Sequence, residues 1–219
     1  MREGEPLVDW GWIVRHLDNA AQRLTEHVAM TVVAVLVGFG ISFVLAVWIS
    51  RRRGALGPVT AVAGVIYTIP SLALFALLVP FTGLSFLTAE IALVGYTILI
   101  LVRNIVAGLD GVPLDVRDAA DGMGYSRWSR LWRVELPLAV PLITAGLRLA
   151  TVTTIGLVTV TALIGQGGLG QFIREGKERG FPTELYLGAA LTILLAIAAD
   201  AVFVTLQRLA TPWTRARSR

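Results

Sequence analysis

The stretch DVRDAADGMGYSRWSRLWRVELPLAVP, residues 115–141, is polar, basic and tryptophan-bearing, and it lies between long apolar runs. The runs on either side decide the class of the chain. Over 219 residues the sequence is 55% hydrophobic with mean hydropathy +0.72. Only 16% is charged, against about 25% in a soluble domain. A soluble protein of this size could not bury so much apolar surface, so the expectation is a single-domain integral membrane protein.

Five runs are long enough to cross a bilayer, which takes about 20 helical residues. They cover 28–50, 58–80, 86–107, 137–165 and 186–209. The runs are continuously apolar rather than alternating, which predicts helices and excludes a β-barrel. Ahead of them, Trp10, Ile13, Val14, Leu17, Ala21 and Leu24 recur at helical spacing. Two readings fit: an amphipathic helix on the membrane surface with Trp10 and Trp12 at headgroup level, or an extension of the first span. Residues 1–27 carry five acidic residues and no early apolar core, so a cleaved signal peptide is not expected. The chain divides into an extracytoplasmic segment 1–27, a membrane domain 28–209 with the loop 108–136, and a basic tail 210–219.

Arginine placement sets the orientation. Twelve arginines, Arg51, Arg52, Arg53, Arg103, Arg117, Arg127, Arg130, Arg133, Arg208, Arg215, Arg217 and Arg219, fall on one side, against six basic residues on the other. The positive-inside rule puts the N-terminus outside and both the C-terminus and the 115–137 loop in the cytoplasm. Within the loop, Asp118-Ala119-Ala120 suits a helical turn that allows close approach, and Gly122 and Gly124 break it. Tyr125, Trp128, Leu131 and Trp132 then recur at spacings that place them on one face. Leu136-Pro137 starts the next membrane helix, where proline is tolerated. Aromatic anchors with an arginine fringe suit a protein interface. They equally suit a positive-inside loop with aromatics at the headgroups.

Several chemistries are excluded. The chain has no cysteine, and its two histidines, His16 and His27, lie near the N-terminus, so no metal site is expected. No phosphate-binding Gly-x-x-x-x-Gly-Lys-Ser/Thr occurs, and no catalytic Ser/His/Asp or carboxylate pair stands out, so the chain is not expected to be an enzyme or to bind nucleic acid. The glycines of GQGGLG (165–170) follow a membrane helix rather than a strand and predict a tight turn at the mouth of a pathway. Three ionisable residues fall inside apolar runs: Glu90, Arg148 and Asp200. Arg148 and Asp200 lie at similar depth, roughly 14–17 Å from the inner end, which predicts an ion pair. Glu90, near the outer end, is expected to snorkel to water.

The order Asp118-Ala119-Ala120, three residues, Gly124, nine residues, Val134, one residue, Leu136-Pro137 resembles the "EAA" loop of ABC-importer permeases. Asp118 and Val134 replace the pattern's Glu and Ile. IYTIPSLALFALLVP (66–80), RNIVAGLDGVP (103–113) and ALIGQGGLGQFI (162–173) resemble the osmoprotectant branch, whose substrates are glycine betaine, choline and carnitine. The resemblance implies an all-α integral membrane fold with a five-transmembrane-helix permease core like that of the methionine importers. It implies an ATPase-coupling site at Asp118, Ala119, Ala120, Gly124, Tyr125, Trp128, Leu136 and Pro137. The implied partners are ATPase subunits that carry ATP and Mg, a second permease chain (identical or homologous), an extracytoplasmic substrate-binding protein and the lipid of the bacterial inner membrane. No cofactor is implied in this chain itself. For a quaternary ammonium solute, Tyr67, Phe75, Phe81 and Tyr96, with Gln166 in the glycine turn, are the pathway candidates. The alternatives are a permease for another small solute, such as methionine, and an ATP-independent carrier.

Overall fold

The structure, a computed structural model, describes residues 7–210. The tail 211–219, with Arg215, Arg217 and Arg219, and the first six residues lie outside the described residues, so most of the 210–219 segment does too.

Ten α-helices follow one another: α1 (Trp10–Arg15), α2 (Leu17–Arg51), α3 (Leu56–Thr68), α4 (Ser71–Thr82), α5 (Phe86–Asp110), α6 (Leu114–Gly122), α7 (Arg127–Arg130), α8 (Leu136–Val158), α9 (Gly170–Arg179) and α10 (Pro182–Ala210). A π turn, Leu131–Glu135, joins α7 to α8. Helix α5 is the centre of the bundle, packed between α2 and α8 with α3 and α4 alongside, while α10 lies on α8 and α9. One apolar cluster near the α6 end contains Ile49, Leu101, Ile105, Leu109, Leu131 and Leu136. A second, toward the opposite end, contains Met30, Phe75, Leu93, Tyr96, Val158 and Ile164.

Lipid supplies no hydrophobic drive between helices, so small residues that let backbones approach set the seams. A Cβ on Gly38 would lie 1.9 Å from Thr97 Oγ1, and one on Gly146 would lie 2.5 Å from Asn104 Cβ. These two glycines therefore place α2 and α8 against α5.

Four helical stretches are long and apolar enough to span a membrane: Leu17–Arg51, Phe86–Asp110, Arg127–Ile164 and Pro182–Leu209. The expected fifth span, 58–80, is instead a pair of helices bent by 96° between Thr68 and Ser71. Pro70 is the cause. It drives Ile69 into an extended conformation (φ −65°, ψ 127°) and cannot continue the helical ladder. A break at membrane depth must satisfy its freed carbonyls within the protein. Tyr96 does so: its hydroxyl donates to the Ile69 carbonyl at 2.6 Å. Tyr96→Phe should leave that carbonyl unpaired, at about 1–3 kcal/mol, and lower the melting temperature of the purified chain. An unchanged Tm would show that the break needs no such support.

The helix that carries the first expected span begins at Leu17, so residues 17–27 are continuous with it. Ahead of it, Asp9 caps the short α1 and accepts from the Trp12 amide at 2.9 Å, and the Asp9 amide donates to Thr183 Oγ1 at 2.9 Å. Trp12 stacks on His16 and meets Phe172 and Phe181 edge-on. It is thus an internal packing residue, while Trp10 is 73% exposed.

Candidate functional site

The polar segment builds a short helix with a hard stop. Pro113 precedes α6 with an extended ψ of 144°, and Asp115 sits in the first turn, where it complements the helix dipole. Asp118 and Ala119 face outward, and Ala120 is the buried residue that seats the helix. The C-terminus closes in a Schellman arrangement: the Tyr125 amide donates to the Ala120 carbonyl at 3.1 Å and the Gly124 amide to the Asp121 carbonyl at 3.0 Å. This closure requires Gly124 at φ +81°, a region that costs any residue with a Cβ.

Arginines latch the segment to its neighbours. Arg117 Nη2 donates to the Leu109 carbonyl at the end of α5. Arg130 reaches back to Asp121 of α6 and forward to Glu135, with Nε donating to Oε1 at 2.8 Å. Arg53 pairs with Asp110 at 2.5 Å, tying the chain after α2 to the end of α5. These groups line a cavity of about 540 Å³. α6 is thereby fastened to the end of α5 and, through Arg130, to the π turn that leads into α8. Arg130→Met should uncouple α6 from Glu135. The expected result is a several-fold drop in solute uptake per ATP hydrolysed at unchanged chain abundance; an unchanged ratio would mean that the latch transmits nothing.

Trp128 and Trp132 share a face, 51% and 56% exposed, with ring centroids 6.5 Å apart and planes at 17°. The Arg51 guanidinium covers Trp128 at 4.2 Å. Leu131 does not join them, contrary to the spacing. It is 5% exposed and belongs to the cluster near the α6 end. Leu136-Pro137 opens α8, as expected, but α8 continues directly from α7: the helical stretch runs unbroken from Arg127, and its π turn hands the Leu136 amide to the Leu131 carbonyl, five residues back. Pro137 has no amide to donate, and the widened turn gives its ring room. Leu136 is buried, and Pro137 is exposed. The hydrophobic pattern shows neither effect, because a π turn changes the register after it begins.

At the opposite end the GQGGLG turn is as tight as its glycines suggest, with positive φ at Gly165, Gly167 and Gly168. Gln166 is half-buried within it. His27 lies fully buried below, its Nε2 donating to the Ile155 carbonyl at 3.0 Å, so it joins α2 to α8. A lone histidine at the head of an apolar run gave no signal of that role.

The pathway aromatics do not converge. Phe75 is fully buried in the cluster opposite the α6 end, Phe81 is 82% exposed, and Tyr96 supports the helix break. Tyr67 and Tyr96 meet edge-on at 6.1 Å. Glu90 does not snorkel. It is 6% exposed, and neither carboxylate oxygen has a hydrogen-bond partner among the described residues. It shares the enclosed face of α5 with Leu93 and Thr97. Arg148 and Asp200 do pair. Nη2 donates to Oδ2 at 2.8 Å and Nε to Oδ1, a two-pronged contact joining α8 to α10.

The described residues form a helical bundle with several candidate membrane helices and one long polar segment strapped to it. The family described as "Binding-protein-dependent transport system inner membrane component" matches residues 38–216, and the chain belongs to it. It is 37% identical to the osmoprotectant import permease protein OsmW of Salmonella typhimurium, over 90% of this chain and 95% of that one. It is 34% identical to the glycine betaine/carnitine/choline transport system permease protein OpuCB of Bacillus subtilis, over 85% and 86%. Among solved structures it is similar to the inward-facing MetNI methionine ABC transporter, with TM-score 0.79 and 21% identity over 90% of this chain and 98% of that one. An amino acid ABC transporter gives 0.73 and 18% over 92% and 98%. The chain is therefore a multi-pass inner-membrane permease subunit of an ATP-driven importer, with the all-helical fold expected of it. It is not an enzyme: ATP hydrolysis belongs to a separate ATPase chain, and a substrate-binding protein is a further partner of the family.

Proposed function

We propose that this permease imports osmoprotectants of the quaternary-ammonium class, such as glycine betaine, choline and carnitine. The observation that carries this is the identity of 34–37% across nearly the whole chain to permeases named for those solutes. The N-terminus lies outside and the C-terminus inside, so α6 faces an ATPase dimer that holds Mg-ATP. Asp118, Ala119, Gly124, Tyr125 and Trp128 form the contact, with Ala120 seating the helix beneath it. A second permease chain completes the path, and the bilayer surrounds both. Closure of the ATPases presses on α6, and the Arg117 and Arg130 latches carry the displacement into α5 and α8. In that cycle the protein alternates between two discrete packings rather than deforming continuously.

The test is reconstitution of the chain with its ATPase and binding protein in liposomes. Uptake of glycine betaine, choline or carnitine should require ATP and the binding protein. Uptake of methionine in their place would overturn the substrate assignment. Uptake that persists without the ATPase would overturn the coupling.

A further inference from the structure

The ion pair between α8 and α10 has features that a mere helix clamp does not need. It sits near mid-depth, eleven residues from Pro137 on α8 and nine from Leu209 on α10. Charges at that depth normally face a bundle interior or water. Here the side chains of Arg148 and Asp200 remain 41% and 38% exposed. They open on a cavity of about 320 Å³ whose other lining residues are Ala145, Leu149 and Val152. Acyl chains against such a pair would carry the desolvation cost of both ions, which favours water or a second protein chain over lipid against this face.

We propose that Arg148 and Asp200 form a passage site for a small zwitterion. The inference rests on the substrate class given above and deepens it. Arg148 uses Nε and Nη2 on Asp200, while Nη1 makes no hydrogen bond among the described residues. A guanidinium has five N–H donors in a rigid fork, so its free edge can receive a second carboxylate. The Asp200 carboxylate can meanwhile meet a quaternary ammonium, which needs only a nearby negative charge. A solute carrying both groups lies alongside the pair as an antiparallel set of four charges. Its net charge is zero, and the Arg148–Asp200 contact need not break. A lone cation would have to compete with Arg148 for Asp200, and a lone anion with Asp200 for Arg148. The site therefore favours zwitterions over either half. Its aliphatic walls offer no aromatic cage, so holding is weak, as a passage site requires.

The chain has no cysteine, which makes a direct test possible. Ala145→Cys places a single thiol on the cavity wall in the importer assembled with cysteine-free partner subunits. A charged, water-soluble methanethiosulfonate should modify it, and saturating glycine betaine should slow the reaction at least threefold. Equal concentrations of tetramethylammonium or acetate should slow it by less than half that factor. Adding Arg148→Met with Asp200→Leu should abolish protection. The exchanged pair, Arg148→Asp with Asp200→Arg, should restore it and also shows that the bundle tolerates change here. A thiol that does not react, or that reacts equally with and without glycine betaine, overturns the site. Uptake of glycine betaine by the parent importer is measured in parallel. Uptake without protection defeats the passage site alone, whereas protection without uptake defeats the transport reading alone.

Discussion

Gly124→Pro should reduce ATP-driven uptake at least a hundredfold while the chain still reaches the membrane in normal amount. Proline fixes φ near −65° and removes the amide. Gly124 stands at φ +81° and uses that amide on the Asp121 carbonyl. The neighbouring bond from Tyr125 to Ala120 depends on the same turn. Loss of both costs about 3 kcal/mol locally, and Ala120 is the one buried residue of α6. The helix should leave its seat, taking Asp118 and Ala119 out of register with the ATPase. The membrane helices contribute nothing to that turn and should be unaffected. Gly124→Ala, which keeps the amide and adds about 1–2 kcal/mol of left-handed strain, should give an intermediate loss. The readouts are solute uptake, chain abundance in membranes and co-purification of the ATPase. Uptake within twofold of the parent would refute the account.

Gly168→Val should be the most damaging single change at the opposite end. A Cβ there would lie 2.6 Å from both the Arg23 carbonyl oxygen and the His27 amide nitrogen. Both are backbone atoms of a continuous helix and cannot rotate away. Gly168 also stands at φ +43°, which a β-branched residue adopts only under strain. Overpacking and strain together should cost about 3 kcal/mol or more. The turn should lift from α2, and the His27–Ile155 hydrogen bond should break with it. Thermal unfolding in detergent should begin about 6 °C or more below the parent. A Tm within a degree of the parent would mean that the turn is not seated as described.

The two changes mark what could be read from residue order and what could not. Gly124 and Gly168 were legible as breaks, because glycine between apolar or helical runs signals a turn. That Gly168 touches the backbone of α2, over a hundred residues earlier, was not. The Arg148–Asp200 pair was legible because both charges stand alone in apolar runs, and helical rise puts them at one depth. Glu90 was misread by the same logic: depth can be counted along a helix, but facing cannot. The aromatics show a related limit of residue order. An aromatic on an apolar helix reads alike whether it packs as Phe75 does, faces outward as Phe81 does or supports a broken helix as Tyr96 does.

Residue order by itself determined the class, the number of membrane crossings within one, the place of the polar segment and the family it resembles. Those follow from quantities summed along the chain: apolar length against bilayer thickness, charge per loop and the spacing of a motif. Only the tertiary structure decided that Pro70 divides the second span, that Leu131 packs inward while Trp128 and Trp132 stay out, and that Arg117 and Arg130 strap α6 to the end of α5 and to the π turn before α8. Each depends on which groups meet across the bundle. Hydrogen-bond partners and glycine-deep approaches between helices are set by packing in three dimensions, and local sequence does not encode its distant neighbour.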